Sequence, residues 1–77
     1  MESMKLLELI NETLLGRGLY VHYELNVGIY TFFLFPVNWP IADKHKGYLE
    51  QWSFIPSEKD VMQWAIGSAY DWDKYNN

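Results

Sequence analysis

The hydrophobic period of this chain changes from 3.6 to 2 across Gly16-Arg17-Gly18, and that switch excludes both an all-helical and an all-β fold. Before it, Leu6, Leu7, Ile10 and Leu14 recur at three- and four-residue spacing, with Lys5, Glu8, Asn11 and Glu12 between them. The spacing predicts a helix over 3–15, capped by Ser3 and ended by the two glycines. After it, Leu19, Val21, Tyr23 and Leu25 alternate with Tyr20, His22, Glu24 and Asn26, which predicts a half-buried strand over 19–25.

The next turn is Asn26-Val27-Gly28. A two-residue loop would force the β-branched Val27 to positive φ, so a three-residue loop with Gly28 left-handed is expected. A second strand then runs over 29–37. In that register Leu25 faces Ile29, Tyr23 faces Thr31, Val21 faces Phe33 and Leu19 faces Phe35, forming the core face. The outer face pairs Glu24 with Tyr30, His22 with Phe32 and Tyr20 with Leu34. Apolar residues as large as Phe32 and Leu34 on an outer face point to a cover rather than to solvent, either a helix, which would make a three-layer domain, or a partner, which the short chain favours.

Pro36 and Pro40 break the pattern, and Asp43-Lys44-His45-Lys46-Gly47 reads as a solvated loop. Tyr48 to Ile55 form a third strand. Ser57 and Asp60 open a second helix over 57–72. Val61, Trp64, Ala65, Ser68, Ala69 and Trp72 make its first stripe, and Met62, Ile66 and Tyr70 a second. The tail 73–77 is expected to fray. The whole reads as one α+β domain over 1–77: an αβββα chain whose three-stranded antiparallel sheet is packed by two helices.

A chain of 77 residues without cysteine has neither disulfide nor thiolate zinc site to staple it. Four Trp, six Tyr and four Phe supply the area for a dense core and for a sticky surface. The net charge of −4 argues against nucleic acid as a direct ligand. The longest apolar run, Ile29 to Val37, is too short to cross a bilayer, and Met1-Glu2-Ser3-Met4-Lys5 carries no basic leader. A cytoplasmic protein without membrane attachment is expected.

Catalytic patterns are missing: there is no Cys and no Gly-x-Ser-x-Gly elbow, and Asp43 and His45 read as loop residues. His22-x-Glu24 and Asp71-x-Asp73 offer two ligands each where a metal site needs about four. Gly16-Arg17-Gly18 lacks the lysine of a phosphate loop. No enzyme, cofactor or metal is expected.

The element order resembles the double-stranded-RNA-binding domain, whose architecture it shares. That family grips phosphate with lysines opening the last helix and with a histidine in the first hairpin loop. Here those places read Ser57-Glu58-Lys59-Asp60 and Asn26-Val27-Gly28, so the likeness implies fold and not ligand. In size, acidity and aromatic content the chain is similar to small phage-encoded inhibitors, anti-CRISPR proteins among them, and to toxin-immunity proteins. That likeness implies a protein that occupies another protein, including one that itself binds nucleic acid. The expected contact residues are Tyr20, His22, Glu24, Tyr30, Phe32 and Leu34 on the outer hairpin face, with Asp71, Asp73 and Tyr75 at the C-terminus. The alternative is an assembly subunit that self-associates, as a homodimer for instance, through aromatic surface.

Overall fold

A computed structural model describes residues 2–76 and the side chains of 5–75; the Ser3 cap lies outside the described side chains. Helix α1 (Glu2–Leu15) leads through Gly18, at φ 71°, into strand β1 (Leu19–Asn26). Strand β2 (Ile29–Pro36), a 3₁₀ segment (Ile41–Lys46), strand β3 (Tyr48–Trp52) and helix α2 (Glu58–Asn76) follow. The sheet is antiparallel in the order β1-β2-β3, so β2 is central and β1 and β3 are edges. The fold is the αβββα class with a 3₁₀ segment added.

Both helices contribute to one core. Leu6, Ile10 and Leu14 of α1 meet Val61, Ala65 and Ala69 of α2 over Leu19, Val21, Phe32 and Leu34 of the sheet. The small residues at 65 and 69 let α2 approach closely, and the aromatic residues fill what remains. Phe32 lies edge-on to Trp52 and Trp64, and Trp72 edge-on to Trp39 and Tyr48. Ser57 and Asp60 form the capping box: Asp60 N–H donates to Ser57 Oγ at 3.1 Å, and Ser57 N–H to Asp60 Oδ2 at 3.4 Å.

The hairpin register departs from expectation by one residue. Asn26 pairs with Ile29, Tyr23 with Phe32, Val21 with Leu34 and Tyr20 with Phe35. The loop is the two-residue Val27-Gly28 turn, with φ of 51° and 77°, the positive pair of a type I′ turn. Because strand side chains alternate, this slip turns all of β2 over. Tyr30, Phe32 and Leu34 face the helices, and Thr31, Phe33 and Phe35 face away. Replacing Val27, fully exposed at 101 %, with Asn should relieve the left-handed strain. The expected gain is about 1 kcal/mol. That raises the melting temperature by roughly 5 °C, and an unchanged melt would show the turn to be unstrained.

The segment expected as a solvated loop instead covers the second sheet face. His45 stacks edge-on against Phe33 at 5.1 Å, and Lys44 Nζ sits 5.5 Å from the same ring. Strand β3 stops at Trp52 rather than at residue 55. Helix α2 continues to Asn76, so residues 73–76 are helical where fraying was expected. Arg17 from the α1–β1 turn pairs with Asp73 and supplies the cation that a carboxylate at a helix C-terminus requires.

Candidate protein-binding surface

As an edge strand, β1 turns alternate peptide groups away from β2. Val21 identifies which ones: its N–H donates to Asn11 Oδ1 at 2.7 Å, and its C=O accepts from Asn11 Nδ2 at 3.1 Å. By alternation, the peptide groups of Leu19, Tyr23 and Leu25 point outward as well. An open groove of about 630 Å³ runs along this edge between α1 and β1. Residues 19–23 of β1, from both sheet faces, form one wall. Leu7, Glu8, Asn11, Glu12 and Leu15 form the other, and Val37 closes an end. Glu8 and Glu12, one helical turn apart, share the groove side of α1 and are exposed; neither is ion-paired among the described residues.

Tyr20, His22 and Glu24 stand together on the face turned from the helices, as expected. Tyr20 and His22 line the groove. Tyr20 packs edge-on against Phe35, and His22 lies over Phe33. Glu24 ties β1 to the 3₁₀ segment: Oε2 accepts from His22 Nε2–H at 3.0 Å and from Lys44 Nζ at 3.2 Å. These bonds, that from His22 foremost, hold the Glu24 carboxyl below the ordinary glutamate range. A depressed carboxyl stabilises the fold above its unfolded pKa and loses that contribution as pH falls through its folded value. Below about pH 4.3 the wild type should therefore lose stability more steeply than Glu24→Gln. Chemical denaturation across an acid series reads the two slopes, and equal slopes would remove Glu24 from the linkage.

Of the remaining expected contact residues, Phe32 and Leu34 are buried at 2 % and 0 % exposure. Tyr30 is half-buried and stacks on Tyr23. The register slip takes these three off the outer face, and they serve the core. Asp71 and Tyr75 are exposed on the last turns of α2, and Asp73 is engaged by Arg17. The Arg17–Asp73 pair ties this helix end to the α1–β1 turn. The sequence does not single out Asn11, Glu8 or Glu12 as contact residues. The sequence does show the two carboxylates on one helix face, but nothing in it places that face beside a sheet edge.

On the opposite edge one peptide N–H, that of Gln51, is covered by a neighbouring side chain. Glu50 Oε1 accepts from the Gln51 N–H at 3.2 Å, and Gln51 Nε2 donates to Thr31 Oγ1 at 3.3 Å. A smaller cavity of about 440 Å³ lies near the hairpin tip, among Leu25, Tyr30, Ile55 and Val61. Among the described residues no group of three or more His, Cys, Asp or Glu is gathered, and no helix is long and apolar enough to cross a membrane. The architecture places the chain among small α+β domains. No family model, curated protein or solved structure matches it.

Proposed function

We propose that this chain is a non-catalytic protein-binding module of the cytoplasm, acting as an inhibitor by occupying a partner protein. The observation that supports this most is the β1 groove: an apolar cleft beside a free strand edge, rimmed by two carboxylates that have no ion pair among the described residues. Clefts of this size serve ligand recognition in general, and strand edges recognise protein chains. The acidic rim suits a partner with a basic surface, a nucleic-acid-binding protein included. The exposed helix-end residues Asp71 and Tyr75 offer a second, smaller area of contact.

The test is capture by the tagged protein from its native cells, followed by light scattering of the complex and of the free chain. The expected outcome is a concentration-independent monomer that forms a complex of fixed ratio with one partner. A homodimer with no partner would replace this reading with self-assembly, for which the exposed Ile66 and Tyr70 on α2 supply apolar surface. Turnover by the pure chain would overturn it in favour of an enzyme.

A further inference from the structure

We infer that the free edge of β1 receives an extended, basic segment of the partner as a fourth strand, and that Asn11 holds the place of that strand until it arrives. The inference rests on the protein-binding reading above and names its mode and ligand chemistry.

A carboxamide carries the same donor and acceptor pair as a peptide group. Asn11 bonds both the N–H and the C=O of Val21, as a neighbouring strand would. An incoming strand that displaces it restores both hydrogen bonds at Val21, and the freed carboxamide lies at the open groove, where water can take its bonds. The five residues that wall the groove match the common length of a short strand. Unprotected strand edges invite pairing with other chains, and proteins usually blunt them. On β3 the blunting group is Glu50, an immediate sequence neighbour of the peptide it covers. On β1 it is a side chain from another element, above an open groove, and it can swing away.

Charge selects the occupant. A strand laid along β1 alternates its side chains between the two walls. On the α1 side they meet Leu7, Glu8, Glu12 and Leu15, so Lys or Arg with long apolar stems fits there. On the other side they meet Tyr20 and His22, which suits apolar or aromatic residues. A second copy of this chain fits poorly. Edge-to-edge pairing would set two acidic rims against each other in a chain of net charge −4.

Selection from a displayed library of short random peptides tests this on the intact protein. Selected peptides should alternate basic and β-branched or aromatic residues, and should slow amide exchange at Val21 and Tyr23. Methylating alternate backbone nitrogens of a selected peptide should abolish binding, because it removes the strand donors. Glu8→Lys with Glu12→Lys, both at exposed helix positions, should keep the melting temperature and weaken binding by at least about tenfold. Acidic or helical winners, undiminished binding by the methylated peptide, protection elsewhere on the protein, or no winner at all would each overturn the inference. A native partner captured equally by the wild type and the doubly reversed chain would overturn it and leave the protein-binding reading standing. Failure to capture any partner counts against that reading itself.

Discussion

Phe32→Ala should leave the protein largely unfolded at ambient temperature. Phe32 is buried against the helices, and its ring meets Tyr23 at 5.1 Å, Trp52 at 5.4 Å and Trp64 at 6.3 Å. Truncation deletes one member from each of these pairs and opens a cavity that the rigid rings around it fill poorly. Losses of about 3–5 kcal/mol are usual for such a change. Whole domains hold only about 5–15 kcal/mol, and one this short lies at the low end. Tyr20→Ala is the control, because Tyr20 is 38 % exposed and occupies the opposite sheet face. It should cost far less. Circular dichroism melts of the two variants separate the cases. A cooperative, near-native melt for Phe32→Ala would mean that Phe32 faces outward and that the hairpin has the other register.

That register is where sequence reasoning and structure part, and the cause lies in β2. Residues Ile29 to Phe35 read Ile-Tyr-Thr-Phe-Phe-Leu-Phe, apolar or aromatic at all but one position. A strand apolar at both parities carries no period-2 signal, so its facing hung on the loop alone. β-Branched residues avoid positive φ, but the tertiary fold overrides that preference at Val27. The same composition held the correction: a strand apolar on both faces is one covered on both faces. With two helices on one side, residues 37–47 were the cover left for the other. The helices were legible because their apolar positions keep a 3.6 period and because Ser57 and Asp60 mark a start. The β1 face was legible because Tyr20, His22 and Glu24 alternate in sequence with Leu19, Val21 and Tyr23, which turn to the core side. The groove beside β1 was not, because it depends on how α1 lies along an edge, and no local pattern encodes that.

Gly47→Ala should detach the 3₁₀ segment from the sheet while sparing the helix-side core. Gly47 lies where the chain leaves Lys46 and enters β3, pressed against the central strand. A Cβ there would overlap the carbonyl oxygen of Leu34 and come within 3.1 Å of Phe35 Cβ. That carbonyl belongs to the backbone of a strand paired on both sides, so it cannot yield as a flexible side chain would. The chain must move at residue 47, and the elements it joins are the 3₁₀ segment and an edge strand. Overpacking of this kind costs about 1–3 kcal/mol and more where the neighbour is rigid. The loss should be uneven. Lys44 would leave Glu24, His45 would leave Phe33, and the Phe33 and Phe35 rings would meet water. Increased binding of a hydrophobic dye, with faster amide exchange in 41–47 and near-normal exchange in α1, is the expected signature. Uniformly faster exchange would instead mean that the 3₁₀ segment and the core open as one unit. The Glu24–Lys44 bond would then belong to the global stability of the fold rather than to a separable cover on its second face.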